Sequence, residues 1–193
     1  MENLLIKKKP YVIISQIDDT THVVSFKGKQ YVAYKFEPKS LEFNDRIYCY
    51  KRIQSSGVRF GKVKVIDKKN GYIVREYIEG ISVFHLLAGK DLEKDIYKFI
   101  FSQASLAKTS RIALNFAPDN WIIHDGHLYY TGYQFYDYSE KTDFANSSIR
   151  LWFFTKDFVK FAKEKGVEVN VNRLKDDYVI NKEIVMIACE FYR

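Results

Sequence analysis

The first eighty residues alternate between apolar and polar positions in short runs, the pattern typical of β-strands. Residues 11–15 and 22–36 are rich in β-branched and aromatic side chains, and a Lys-Gly-Lys turn divides the second run into two strands. Residues 62–67 and 72–77 form two further runs joined by an Asn-Gly pair, which favours a tight hairpin. The pattern therefore predicts five strands in this half of the chain.

A single helix is predicted between the third and the fourth of these strands. Ser40 follows the helix breaker Pro38 and can cap a helix, which the Ser-Ser-Gly sequence at 55–57 ends. Four apolar side chains between these limits recur at spacings of four and three residues: Phe43, Ile47, Tyr50 and Ile53. Because these spacings place side chains on one side of a helix, the segment is predicted to be amphipathic.

The pattern becomes helical from residue 81 onward. Helices are predicted over 82–89, 91–111, 143–165 and 181–192. Asp91 is a good cap for the longest of them. Residues 121–133 interrupt the helical half with two short apolar runs around an Asp-Gly pair, which predicts a second hairpin.

Together these elements predict an α+β fold of two lobes. Residues 1–80 form a lobe with a five-stranded antiparallel sheet and one helix, and residues 81–193 form a reduced, mostly helical lobe. The boundary between the lobes is expected at 76–80.

The charge of the chain adds a possible partner class to this picture. The 193 residues carry 31 Lys and Arg against 24 Asp and Glu, a formal net charge of +7, which attracts polyanions such as nucleic acid. The densest groups are Lys7 to Lys9 and the hairpin with Lys62, Lys64, Lys68 and Lys69. Two distant cysteines indicate neither a disulfide framework nor a cysteine metal site. With no segment long enough for a signal peptide or a membrane span, the expected location is the cytoplasm, away from membranes.

Three short segments carry a resemblance to a known family. Val-Ala-Tyr-Lys at 32–35 ends the third predicted strand, the boundary segment 76–80 follows the fifth, and residues 113–135 are similar to a catalytic loop with its metal-binding segment. Their order and intervals resemble those of the protein-kinase-like superfamily. The small size looks like that of the compact atypical kinases of the RIO type. The resemblance implies the kinase-like two-lobed fold.

The resemblance also implies an ATP site. Lys35 stands where a kinase lysine pairs with the α- and β-phosphates, and main-chain groups around Glu76 and Ile78 stand where the adenine is bound. Asn120, at the end of the catalytic-loop-like segment, stands at the position of a magnesium ligand.

Both carboxylates that phosphoryl transfer needs are missing from this pattern. Asn115 takes the place of the catalytic aspartate, and an amide cannot accept a proton as a general base. Gly132 takes the place of the aspartate that holds magnesium, so the site is incomplete for the metal. Asp137, five residues further on, is the one nearby aspartate that could reach the metal position.

Two further positions depart from the family pattern. The loop expected to cover the phosphates contains no glycine and carries Asp18 and Asp19, which repel phosphate unless they turn away. Arg46 stands where a helix glutamate would pair with the strand lysine, and Glu42 or Asp45 could replace that glutamate.

These observations favour a pseudokinase that acts by binding a protein partner, by weak ATP binding, or by both. One alternative is an atypical ATP-dependent phosphotransferase or ATPase with unconventional catalytic residues, and another is a basic nucleic-acid-binding scaffold. His124 and His127 flank the Asp-Gly pair and could share a metal, but the hairpin turn explains their spacing without one.

Overall fold

The computed structural model describes residues 2–191, which divide into two compact units. The first unit contains the residues up to Ser55 together with Phe60–Ile78, and the second contains Ser56–Arg59 and the residues from Glu79 onward. The chain thus passes to the second unit inside the predicted boundary segment. The return of four residues, Ser56–Arg59, to the second unit was not predicted from the sequence.

The first unit is a six-stranded antiparallel sheet with one helix. Its strands are β1 (Asn3–Ile6), β2 (Lys9–Asp18), β3 (Thr21–Phe26), β4 (Lys29–Lys35), β5 (Val63–Asp67) and β6 (Tyr72–Glu76), in the order β1-β2-β3-β4-β6-β5. The prediction of five strands was wrong by one, because β1 was missed. Lys7 and Lys8 form the turn after β1 with positive φ angles of 48° and 64°, a conformation that Asn-Gly usually marks in a sequence.

The sheet curls so that its two edge strands approach each other. The backbone N–H of Lys7, directly after β1, donates to Asp67 Oδ2 at the end of β5 over 2.6 Å. Five buried side chains fill the concave face: Ile6, Tyr11, Val24, Ala33 and Val74. The ring of Phe26 extends this core by stacking on Tyr11 at a centroid distance of 4.6 Å. The interior of the curled sheet is therefore occupied by the protein's own side chains.

Helix α1 (Leu41–Ser55) begins as the sequence predicts. Ser40 Oγ accepts a hydrogen bond from the backbone N–H of Phe43 over 3.1 Å, and all four predicted side chains of the apolar face are buried. The face of the sheet opposite the concave core also buries a charge. The Arg75 guanidinium, in a residue only 4% exposed, lies 4.7 Å from the ring centre of Tyr50 on α1 and 4.0 Å from that of Phe60.

The second unit is mostly helical. Its helices are α2 (Val83–Gly89), α3 (Lys94–Thr109), α4 (Phe144–Ser147), α5 (Lys156–Glu164) and α6 (Asp177–Phe191). Its strands are β7 (Ile81–Ser82), β8 (Ile112–Leu114), β9 (Trp121–His124), β10 (His127–Tyr130) and β11 (Phe135–Asp137). The hairpin of β9 and β10 confirms the predicted one, and β7 adds a third strand to it. Between residues 2 and 191, no helix has the length and hydrophobicity needed to cross a membrane.

Three predicted helix boundaries in this unit were wrong. Helix α3 begins at Lys94, because the carboxylate of Asp91 accepts a hydrogen bond from the distant Arg173 instead of capping a helix. The segment 143–165 is not one helix: a buried run ends at Thr155, whose hydroxyl caps α5. Helix α6 begins four residues before the predicted start at 181, and the predicted end at Tyr192 lies outside the described residues.

Two fully buried tryptophans form the centre of the second unit. Trp121 stacks on Phe116 with ring centres 5.9 Å apart, and Trp152 donates from its indole N–H to the carbonyl of Phe116 over 2.7 Å. The hydroxyl of Tyr97 on α3 donates to the carbonyl of Trp152 over 3.1 Å. This core fixes the segment between β8 and β9, where the sequence predicts the catalytic-loop-like residues.

Candidate functional site

Asn115 lies in the loop between β8 and the short 3-10 turn Pro118–Asn120. Its side-chain carbonyl accepts a hydrogen bond from the backbone N–H of Ala117 over 3.1 Å, so the amide holds a local turn. An aspartate could accept the same bond, and the turn alone does not require asparagine. At the position that the resemblance assigns to a general base, the chain presents a group with no basic lone pair at neutral pH.

Asn120 ends the 3-10 turn and is joined to the neighbourhood of Gly132. The carbonyl of Asn120 accepts from the backbone N–H of Thr131 over 2.8 Å, which brings two of the predicted positions together in the second unit. The adjacent Asp119 forms an ion pair with Lys165, with Nζ and Oδ2 2.6 Å apart. Asp119 therefore neutralises a lysine at the surface of this segment.

Gly132 is covered by the side chain of Tyr130. A Cβ atom at this position would lie 2.4 Å from Tyr130 Oη and 2.5 Å from Cζ, distances that no side chain tolerates without movement of the ring. The ring is held in place because Tyr130 is 1% exposed and its hydroxyl donates to the carbonyl of Gln134 over 2.9 Å. The structure thus uses a glycine here for a steric reason.

Asp137 lies on the exposed side of β11, opposite Ile112 of β8. Its backbone carbonyl accepts from the hydroxyl of Thr142 over 3.3 Å. Within residues 2–191, no three His, Cys, Asp or Glu side chains are grouped in a way that could hold a metal ion. A role for Asp137 as a metal ligand stays a prediction.

Lys35, at the end of β4 in the first unit, contacts the turn between β5 and β6. Its ammonium donates to the carbonyl of Asn70 and lies 4.3 Å from the ring centre of Tyr72. The two carboxylates considered as its partners are engaged on α1 itself. Glu42 pairs with Arg46 over 3.7 Å, and Asp45 accepts from the thiol of Cys49 over 3.8 Å.

Glu76, the first residue of the predicted adenine-binding segment, forms its contacts within the sheet. Its backbone N–H donates to the carbonyl of Lys62 over 3.0 Å, and its carboxylate pairs with Lys64 over 2.6 Å. Partial burial opposes ionisation of this carboxylate, but the hydrogen bonds from Lys64 and from the backbone of Lys62 outweigh it and lower its pKa. Ile78, two residues on, is partly buried beside Gly61.

The turn between β2 and β3 takes the place of the expected phosphate-covering loop. Asp18 Oδ1 accepts from the backbone N–H of Thr20 over 2.8 Å and from its hydroxyl over 2.9 Å. The backbone hydrogen bond is the main reason why the pKa of Asp18 is lowered. The acidic turn is therefore stabilised by its own hydrogen bonds, and it presents negative charge at the position that the resemblance assigns to a glycine-rich loop.

The two histidines of the second hairpin face each other across β9 and β10. Asp125 and Gly126 form the turn with φ angles of 47° and 68°, as the Asp-Gly pair predicts. His124 Nδ1 contacts the carbonyl of Glu79, and the ring of His127 lies edge-on to Phe99 with centres 5.9 Å apart. The contact with Glu79 accounts for His124, whereas the buried Nδ1 of His127 has no hydrogen-bond partner among residues 2–191.

The second unit also contains a cavity that the sequence did not indicate. It has a volume of about 340 Å³, near the lower limit of small-molecule sites. Its walls come from α2, α3 and the second hairpin, and the main lining residues are Ile81, Leu86, Ile96, Phe99, Ile123 and His127. The apolar members of this lining follow the ordinary pattern of their elements, and Lys90, Glu93 and Asp95 add charged groups at the cavity.

No protein-family model matches the chain, and a search of curated proteins finds no match to it.

Proposed function

We propose that the chain is a kinase-like protein that does not transfer phosphate, a pseudokinase that acts by binding a protein partner. The order of its elements supports this proposal: an antiparallel sheet with one helix inserted before its last hairpin, then helices, the Pro118–Asn120 turn and a second hairpin. This is the order on which the resemblance to the protein-kinase-like superfamily rests.

The observation that carries the proposal is the packing around Gly132. The aspartate that holds magnesium in an active kinase would have to occupy space that the Tyr130 ring fills. Without that carboxylate, no charge holds the metal against the transferred phosphate. The loss is built into the packing and is not a single replaceable side chain.

The environment of Asn115 supports the same conclusion. Phosphoryl transfer depends mostly on positioning and electrostatics, so the loss of a base alone would leave some activity. Here the base position holds an amide bonded to Ala117, and the metal position holds a glycine. Both groups that act on the reacting phosphate and hydroxyl are absent from the positions that the resemblance assigns to them.

The contacts of Lys35 support a weak nucleotide site at most. A lysine that pairs with phosphates needs its ammonium free and a carboxylate to orient it. In the first unit the Lys35 ammonium is bound to the carbonyl of Asn70, and Ala33 on the same strand face is fully buried in the core. We infer that ATP is not the main ligand and that any ATP binding is independent of magnesium.

A phosphotransfer assay tests the proposal. The purified chain is incubated with labelled ATP and magnesium, alone and with a general protein substrate, beside Lys35→Ala and the matched variant Lys29→Ala at the other end of β4. We expect no transfer by any of the three proteins. Transfer by the wild type that Lys35→Ala abolishes and Lys29→Ala retains would show an active enzyme and overturn the proposal.

A further inference from the structure

Three turns of the first unit carry a concentration of lysines. Lys7 and Lys8 form the turn between β1 and β2, and Lys9 follows them at the start of β2. Lys27 lies in the turn between β3 and β4, and Lys68 and Lys69 lie in the turn between β5 and β6. These six lysines are all exposed and are called the turn surface below.

Contacts within the first unit join the three turns. The hydrogen bond from the backbone of Lys7 to Asp67 places the first turn beside Lys68. The ammonium groups of Lys9 and Lys27 lie 5.9 and 5.7 Å from the centre of the same ring, that of Phe26. The first turn therefore lies near each of the other two, which the antiparallel pairing of β4 with β6 places at opposite ends of those strands.

The charge of the turn surface is not balanced by ion pairs. Asp67 is 4% exposed, and its carboxylate accepts from Lys7, from the backbone of Asn70 and from the side-chain amide of Asn70. Among residues 2–191, no ion pair within 4.0 Å is formed by any of the six lysines, whereas Lys64, on the adjacent strand, pairs with Glu76. Like charges kept together without partners are unfavourable, and a bound anion removes that cost.

The backbone of the first turn is also in an unfavourable conformation for lysine. Lys7 and Lys8 both adopt positive φ angles, a conformation in which glycine or asparagine is favoured and lysine is disfavoured. For folding alone, Asn-Gly would serve better at these two positions. Residues kept in disfavoured conformations are concentrated at functional sites.

We propose that the turn surface binds nucleic acid through its phosphate backbone, without preference for sequence. Lysine ammonium groups are mobile point charges that suit phosphates spaced along a strand, whereas reading of bases depends on bidentate side chains such as arginine, asparagine and glutamine. The turn surface contains lysines only. The partly buried Phe26 ring stacks on Tyr11 in the core and holds the ammonium groups of two of these lysines near each other, so it contributes to their placement and not to base stacking.

The proposed turn surface differs from the lysine groups that the sequence indicated. Lys62 and Lys64 were grouped with Lys68 and Lys69, but the β5 strand separates them and Lys64 is neutralised by Glu76. Lys27 was not considered a member and belongs to the surface through Phe26. The inference is independent of the proposed pseudokinase function, because it concerns no residue of the ATP-like site.

Fluorescence polarisation with a labelled single-stranded oligonucleotide of mixed sequence tests the proposal, over a series of salt concentrations. A variant with one lysine removed from each turn, Lys8→Gln with Lys27→Gln and Lys69→Gln, is compared with a control of equal charge loss in the second unit. The control carries Lys160→Gln, Lys163→Gln and Lys182→Gln at exposed positions. Thermal melting of both variants checks that they fold like the wild type.

We expect the logarithm of the affinity to fall linearly with the logarithm of salt, with a slope of about −4 for six phosphate contacts on a single strand. The turn-surface variant should reduce the magnitude of this slope by about 2 and bind roughly tenfold or more weakly at 100 mM salt. The control should bind like the wild type. An oligonucleotide of another sequence should bind within about threefold, since lysines contact only the backbone.

Three results would overturn the proposal. Equal weakening by both triple variants would mean that overall charge alone causes binding. No binding at 50 mM salt would mean that the surface has no affinity for nucleic acid. Binding to vesicles that contain acidic phospholipid, together with no binding to the oligonucleotide, would assign the turn surface to a membrane.

Discussion

At the scale of single residues, the groups at the positions that the resemblance singles out are engaged in local contacts. Asn115 holds a turn, Gly132 makes room for Tyr130, and Lys35 contacts the carbonyl of Asn70. Each contact is local to its own unit. The residue types were visible in the sequence, but their partners were not, because a pattern match identifies a position and not the atoms around it.

The packing of Gly132 leads to the first stability prediction. Gly132→Ala should lower the free energy of unfolding by about 1–3 kcal/mol, because the new methyl group overlaps the buried Tyr130 ring. The matched control is Gly89→Ala at the end of α2, where an added Cβ meets nothing within 4 Å. That change should stay within about 0.5 kcal/mol of the wild type. Urea unfolding measures both, and equal effects would show that the Tyr130 ring moves aside freely.

At the scale of elements, short-range sequence signals predicted the hairpins. Contacts between residues distant in sequence determined features that were not predicted, such as the start of α3. The Asp-Gly pair predicted a hairpin because a two-residue turn needs only its own backbone conformation, and the Asn-Gly pair marked a hairpin whose loop proved to span four residues, 68–71. Strand β1 was not predicted because the turn that follows it consists of two lysines and lacks the Asn or Gly that usually marks a hairpin. The start of α3 was predicted wrongly because Asp91 binds Arg173, which is 82 residues away in the sequence. A local pattern contains no information about such a partner.

The closure of the sheet between β1 and β5 leads to a second stability prediction. Asp67→Ala should lower the free energy of unfolding by about 1.5–3 kcal/mol, because it removes a charged acceptor and leaves the donors of Lys7 and Asn70 unpaired. Asp19→Ala, at an exposed position in the turn between β2 and β3, is the control and should have little effect. A loss no larger than that of the control would mean that the edge strands do not depend on this carboxylate.

The same closure should depend on pH. Burial raises the pKa of Asp67, but hydrogen bonds from Lys7 and Asn70 outweigh burial and lower it below the usual value. A lowered carboxyl pKa contributes stability that is complete above the unfolded pKa of about 4 and is lost as the pH falls through the folded value. The difference in stability between wild type and Asp67→Ala should therefore shrink below pH 4. A difference that stayed constant down to pH 2 would contradict this explanation.

At the scale of the whole molecule, the structure confirms the predicted mixed α+β class, but strands β1, β7, β8 and β11 and the division of the segment 143–165 were not predicted. The gathering of Lys7 to Lys9 beside Lys68 could not be predicted, since it depends on the curl of a sheet whose edge strands are about sixty residues apart. The return of Ser56–Arg59 to the second unit has a similar cause: the backbone of Arg59 bonds to Gln103 and Tyr130.

We propose that the positions that the resemblance assigns to an ATP site do not hold a metal and a nucleotide for phosphoryl transfer. The most direct test is isothermal titration of ATP into the wild type and Lys35→Ala, first with magnesium and then with EDTA. The account predicts that EDTA leaves the affinity for ATP unchanged, because Gly132 supplies no ligand for the metal. Binding that requires magnesium and is lost in Lys35→Ala would contradict the account and direct the search for the missing ligand to Asp137.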